Sequence, residues 1–411
     1  MKTMKNFIFS LSALLVLGCA VGCSDSDDDN PIIDEPGSDM VKSGILTEDE
    51  TWTSNNIYIL DGKVVVDDGV TLTIEPGTII KGEKGQGTEA SALVVDQGGK
   101  LMANGTADAP IIFTSIDDNI QQGQKAGTNL DINANGLWGG VIVLGKAPIS
   151  VEGDVENWLI EGIPANEPYG QYGGTDAADN SGSLKYVSIR HGGVTIGQDN
   201  EINGLTLGGV GSGTVVENIE IVANQDDGIE WFGGTVNPKN LLIWGQGDDG
   251  LDVDQEYTGT ISNALVIQGN EPGSAFELDG PEGTTHGTPF TMKDITVLGG
   301  GQDALVADLR EGALVNFENI LTVDLGAATT GININDADAA AELSNGNVTF
   351  SNWEVLLPAS MTLADFAIGF PGSTADEFTD NATALENADE ATVGADTSVF
   401  SWTLAASEGA F

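Results

Sequence analysis

The segments Asn218-Ile219-Glu220-Ile221, Asn240-Leu241-Leu242-Ile243, Asn263-Ala264-Leu265-Val266, Asp294-Ile295-Thr296-Val297 and Asn319-Ile320-Leu321-Thr322 align at steps of 22, 23, 31 and 25 residues. Each leads to a second short run: Ile229-Glu230-Trp231-Phe232, Leu251-Asp252-Val253-Asp254, Phe276-Glu277-Leu278-Asp279, Leu305-Val306-Ala307-Asp308 and Ile332-Asn333-Ile334-Asn335. Hairpins of a sandwich would not hold two columns in register at one period, but the stacked coils of a solenoid do. One coil cannot bury its own inward side chains; stacking at about 4.8 Å per coil makes the core continuous. The repeat therefore predicts an all-β chain: a right-handed parallel β-helix (solenoid) with terminal caps.

Alternation within the second column sets its faces. Ile229, Trp231, Leu251, Val253, Phe276 and Leu278 are expected inward, and Glu230, Asp252 and Glu277 outward. Asn218, Asn240, Asn263 and Asn319 open the first column, where a short amide tolerates left-handed backbone and can bond its equivalent one coil away. The long step holds a Gly/Pro-rich insertion around residues 281–289. The same grammar begins earlier, in Val64-Val65-Val66, Leu93-Val94-Val95, Ile111-Ile112-Phe113 and Val141-Ile142-Val143, between Gly, Asp and Asn turns. Trp402 is expected in a cap over the open end, since a bare solenoid end is a sticky sheet edge.

The N-terminus reads as a leader. Lys2 and Lys5 precede an apolar run from Phe7 to Leu17 that is too short to span a bilayer, and small residues lead to cysteine. Both cysteines lie here, Cys19 after Gly18 and Cys23 after Gly22, so one is expected to be the acylated first residue of the mature chain. Cys19 has the better residue three positions upstream; Cys23 leads into Ser24-Asp25-Ser26-Asp27-Asp28-Asp29 and is the preferred site. The expected organisation is a lipoprotein signal peptide over 1–22, an acidic flexible tether over 23–44, and the β-helix with its C-terminal cap over 45–411. The body has no cysteine, which excludes disulfides and thiolate metal sites there.

Losing Lys2 and Lys5 leaves 12 basic groups against 63 acidic ones, a net charge of −51. Such a surface repels phosphate backbones, so nucleic acid is not an expected partner. It repels anionic lipid too, making the acyl chain the outer-membrane contact.

GTIIKG (77–82), GGKLMANGTADAPIIFTS (98–115), GLWGGVIVLGKAPI (136–149), SLKYVSIRHGG (183–193), NEINGLTLGGVGSGT (200–214) and DDGIEWFGGTV (226–236) together resemble a family of β-helical cell-surface lipoproteins of Bacteroidota. Relatives often carry a type IX secretion tail, absent from this sequence, whose place the lipid would take. The resemblance implies the β-helix fold and a location on the outer membrane facing the cell exterior; the acidic run after Cys23 resembles the surface-export signal of such lipoproteins. It carries over no reaction and no catalytic residue.

The candidate site is acidic. Asp226-Asp227-Gly228 and Asp248-Asp249-Gly250 lie one repeat apart, and the outward positions continue as Glu230, Asp252 and Glu277, then Phe232, Asp254 and Asp279. Stacked carboxylates on a wet face repel by about 1 kcal/mol per pair. Three outcomes relieve this: solvation alone, calcium held by Asp226, Asp248, Asp252, Asp254, Glu277 and Asp279, or catalysis by Glu230 and Asp252 at a spacing near that of a retaining glycosidase. No cofactor other than calcium is called for. His191, beside Arg190, and His286 read as structural rather than as triad members. Gly208–Gly213 lacks the Lys and helix of a phosphate loop and reads as a tight turn. Trp138, Trp231 and Trp244 could stack sugars, with core packing the preferred reading.

The function expected is a surface binding or scaffolding module, for glycan or for a neighbouring TonB-dependent receptor. The alternative is a calcium-dependent polysaccharide lyase or glycoside hydrolase.

Overall fold

The structure is a computed structural model that describes residues 39–411 except 198–199, 270–272, 300–304, 327–329, 335, 360 and 371–374. The expected signal peptide, Cys19, Cys23 and the acidic run lie outside the described residues.

Strands pair in parallel with their equivalents one coil away, as the repeat requires. One sheet stacks Ala92–Val95, Val141–Leu144, Leu205–Gly208, Ile229–Phe232, Leu251–Asp254, Ser274–Leu278, Leu305–Leu309 and Thr330–Ile334. The other two sheets share long strands: Gly182–Arg190, Val215–Val222, Thr260–Ile267, Phe290–Leu298, Val315–Val323 and Val348–Val355. Each long strand bends at one left-handed residue, where pairing skips: Lys185 pairs with Glu217 and Val187 with Ile219, leaving out Tyr186 and Asn218. The first halves form the second sheet and the remainders the third.

The bend column is the one read from the sequence. Asn218, Asn240, Asn263 and Asn319 have φ of 58, 57, 54 and 57°. Asn240 Nδ2 donates to Asn218 Oδ1 at 3.0 Å and Asn263 Nδ2 to Asn240 Oδ1 at 2.8 Å. Each amide thus satisfies the next while its backbone turns the corner. Inside, Ile229, Trp231, Leu251, Val253, Phe276 and Leu278 are all buried in one core that runs through the coils. Trp138 and Trp231 are fully buried, as preferred; Trp244 is only partly so.

Two boundaries differ from expectation. Strand Asp39–Leu46 already pairs with Ile57–Val66, so residues 39–44, placed in the tether, belong to the first coil. Trp402 does not cap the end. That task falls to helices Ala337–Asn345, Leu363–Phe366 and Ala375–Thr379, which bring Phe378 against Phe350 and Trp353 and stack Phe366 on Phe378. The last residues instead run back along the outer face of the third sheet. Ala395 N reaches Thr296 Oγ1 at 2.9 Å, Asp396 N reaches Asn263 Oδ1 at 2.6 Å, and Ala405 N reaches Glu220 Oε1 at 3.0 Å. Apolar Leu242, Leu265 and Ile267 point outward there, and the returning chain covers them with Phe400 and Ala405. Among the described residues no helix is long and apolar enough to cross a membrane.

Candidate functional site

The outer face of the first sheet changes character along its length. At Ile142, Leu144 and Phe232 it is apolar and lies under an insertion that supplies Ile160 and Tyr172, together with Ile202 of a neighbouring hairpin. Past Phe232 the outward column turns acidic. Strand register stacks Thr206, Glu230, Asp252, Glu277 and Asp308 in one line. The parallel line runs from Phe232 to Asp254, then to Asp279 and Arg310, whose amides bond the Val253 and Leu278 carbonyls.

The Asp-Asp-Gly turns form the rim. A Cβ on Gly228 would lie 2.5 Å from the Gly250 carbonyl oxygen and 2.7 Å from Ile243, so coil spacing demands glycine. The two aspartates of each turn part company. Asp226 is half-buried and Asp248 exposed, whereas Asp227 and Asp249 are buried. Asp227 accepts the Asp249 amide at 2.9 Å, and Asp249 accepts the Ser274 amide.

These groups, with Glu161 and Glu201 from the insertions, line a groove of about 230 Å³. The stacked carboxylates expected on a wet face are in fact buried there: Glu230 is 5% and Asp252 7% exposed. Asn203 Nδ2 donates to Glu230, while Asp252 Oδ1 has no hydrogen-bond partner among the described residues. Burial first, then neighbouring carboxylates, raises Asp227, Glu230 and Asp252 far above the ordinary carboxylate range. The same causes push Asp226 up to about 8, and Asp249 and Glu161 up to about 7. Burial also raises Asp254, and Glu277 to about 9 with Arg310 opposing.

Among the described residues, cation-sized gatherings occur twice. Carboxylate oxygens of Asp226, Asp227 and Asp248 lie within 4.8 Å of one another, as do those of Asp227, Glu230 and Asp252. Asp226, Asp248 and Asp252 of the sequence-derived calcium set are thus in these gatherings, joined by Glu230. Asp254 and Glu277 line the groove, and Arg310 engages both Glu277 and Asp279. Arg310 grips Asp279 through Nε at 2.9 Å and Nη2 at 2.6 Å, and its Nη2 also meets Glu277.

The calcium set read from the sequence took Asp226 and Asp248 from the two turns and left out their neighbours Asp227 and Asp249; Glu161, Glu201 and Arg310 were missed altogether. Arg310 was findable, since it occupies the Asp254–Asp279 column one coil on. Glu161 and Glu201 sit on insertions outside the repeat, and no periodicity marks them. His191 is buried and bonded through Nδ1 to the Ala134 carbonyl at 2.6 Å, and His286 is exposed; neither lines the groove. Gly208 ends strand Leu205–Gly208, and the Thr214 amide bonds the Gly211 carbonyl at 3.0 Å, closing a tight turn.

A family model described as a pectate-lyase-like β-helix domain matches residues 44–406. No curated protein and no solved structure matches.

Proposed function

The chain belongs to the pectate-lyase-like β-helix domain family, and on that premise we propose that its acidic groove is a calcium-dependent binding site for acidic polysaccharide on a surface scaffolding module. The observation that carries this is Asp252 Oδ1, buried beside Asp227 and Glu230 without a partner among the described residues. A buried carboxylate oxygen without a partner costs several kcal/mol unless a proton or cation arrives. An all-oxygen set with carboxylates on both sides of a shared Asp227 suits a hard cation with flexible coordination, and calcium fits that description better than magnesium. Calcium would also let a carboxylated sugar, of the kind in pectate, approach a surface this negative.

Binding is favoured over cleavage because Glu230 and Asp252 are too buried for a glycosidic bond to lie between them. Arg310, the cation of the groove, is held protonated by Asp279 and Glu277 and cannot take a proton. The enzymatic reading draws its support from Glu161, half-buried at the rim and raised to about 7, a value suited to general acid chemistry at neutral pH. Calorimetric titration of polygalacturonate into the full chain, with calcium and then with chelator, tests the proposal. Calcium-dependent binding without release of reducing or unsaturated ends supports it. Binding that survives chelation overturns it, and turnover lost in Glu161→Gln moves the assignment to the enzyme.

We also propose that acylated Cys23 anchors the module to the outer membrane, facing outward, where a TonB-dependent receptor would be a natural neighbour for bound glycan. The leader pattern over 1–22 and the acidic run after Cys23 support this. Radiolabelled palmitate should label wild type and Cys19→Ala but not Cys23→Ala; the reverse pattern moves the anchor to Cys19.

A further inference from the structure

The third sheet carries a cavity that the acidic groove does not involve. Its outer face is covered from two directions. Ile120, on the loop after strand Ile111–Ser115, seals Ile57, Ile79 and Ile112, and the returning C-terminus seals Leu242, Leu265 and Ile267. Between the two coverings lies a cavity of about 390 Å³. Register places Arg190, Val222 and Trp244 side by side on its floor, one coil apart. Leu130 and Ile132 form one wall and the helix Leu404–Glu408 another.

The floor is built for hydrogen bonding. Arg190 is 2% exposed and Glu220 fully buried, 3.5 Å from it. Arg190 Nε donates to Ser188 Oγ at 2.7 Å and Nη1 to the Lys125 carbonyl at 2.7 Å. A guanidinium carries more N–H groups than these contacts use. His191 occupies a corner column of left-handed residues that Ala223, Gly245 and Asp324 fill in other coils. An imidazole is not needed for that turn. The Ala134 carbonyl can only accept, so His191 Nδ1 carries the proton and Nε2 is an acceptor. Burial lowers the His191 pKa and keeps the ring neutral. Exposed Asp131 and Glu408 stand at the rim.

We propose that this cavity is a subsite for an uncharged sugar unit, stacked on Trp244 and held by Arg190 and His191 through its hydroxyls. The indole supplies the apolar platform that a pyranose face prefers. Donor and acceptor side by side match vicinal hydroxyls, which both donate and accept. Glu220 balances Arg190, and the rim carboxylates turn away uronates. The volume lies within the range of small-molecule sites and accommodates about one or two sugar units.

The test is saturation-transfer NMR and tryptophan fluorescence on the full chain, against cellobiose, maltose, mannobiose, xylobiose and digalacturonate, all in chelator to silence the groove. At least one neutral disaccharide should bind and digalacturonate should not. Trp244→Ala should weaken that binding about tenfold. Since Trp244 also packs on the covered apolar patch, a second variant, Ala126→Phe, fills the cavity from the partly exposed loop and should abolish binding without touching the core. No neutral binder in the panel, a binder indifferent to both substitutions, or equal binding of digalacturonate overturns the proposal.

Discussion

The backbone amide of Asp249 donates to Asp227 Oδ1 at 2.9 Å, so the second aspartate of one Asp-Asp-Gly turn fastens the same residue of the next. A carboxylate is thereby buried at the rim for a structural purpose and stands within cation reach of Glu230 and Asp252. The two roles can be separated. Asn offers an oxygen to the same amide but no charge, so Asp227→Asn should leave the melting temperature in chelator unchanged or raised. It should lose most of the calcium-induced upshift, which for an intact site is about 2.7 kcal/mol at a hundredfold excess over the dissociation constant. Calorimetry with calcium, then magnesium at matched ionic strength, reads both effects. An undiminished, calcium-selective upshift would remove Asp227 from the site.

Raised carboxylate pKa values set the sign of the pH response. Asp226 rises from 3.8 to about 8, and Asp249 to about 7, so the folded chain holds protons that the unfolded chain has released. That contribution to stability is full below about pH 4 and is lost as pH rises through the folded values. In chelator the protein should therefore melt at a higher temperature at pH 5 than at pH 8. Saturating calcium should narrow that difference by taking the place of the protons. A chelated protein more stable at pH 8 would mean that the groove is wetter than its burial implies.

The coil period, the inward columns and the asparagine bends were legible because each follows from a fixed spacing. Ile229, Leu251 and Phe276 had to share a face once the period was known. Burial of the acidic column was not legible. Alternation says which way Glu230 and Asp252 point, but whether water reaches them depends on Asn203 and Glu161, placed by insertions with no period of their own. The C-terminus misled for a related reason. A Trp near the end of a solenoid reads as an end cap, yet outward-facing Leu242 and Leu265 interrupt the polar alternation and already called for a lateral cover.

Adjacent residues Leu251 and Asp252 should respond in opposite directions. Leu251 is fully buried in the core, so Leu251→Asp places an unpaired charge there and should cost about 4 kcal/mol or more. Asp252→Asn replaces a buried carboxylate whose Oδ1 lacks a partner, and should raise stability in chelator at pH 8. In calcium the order of wild type and Asp252→Asn should reverse, because only the carboxylate holds the ion. Denaturant midpoints under the two conditions decide it; equal tolerance of both substitutions would contradict the strand register.

Arg310 is the groove's counterweight, and removing it should expose what the carboxylates do unrestrained. Its guanidinium meets Asp279 through two nitrogens and also meets Glu277, a planar fork that Lys cannot reproduce. Arg310→Gln leaves both carboxylates without their cation, at a cost in chelator of about 1–3 kcal/mol, moderated because Arg310 is 34% exposed. Calcium should restore most of that loss and bind with higher affinity or in greater number, since Glu277 and Asp279 become available as ligands. Polysaccharide binding should nevertheless weaken if Arg310 also meets sugar carboxylates at the end of the groove. Stronger calcium binding with weaker polygalacturonate binding would thus assign Arg310 to the ligand. A parallel gain in both would confine it to balancing charge, and no change in calcium binding would mean that Glu277 and Asp279 lie outside the cation site.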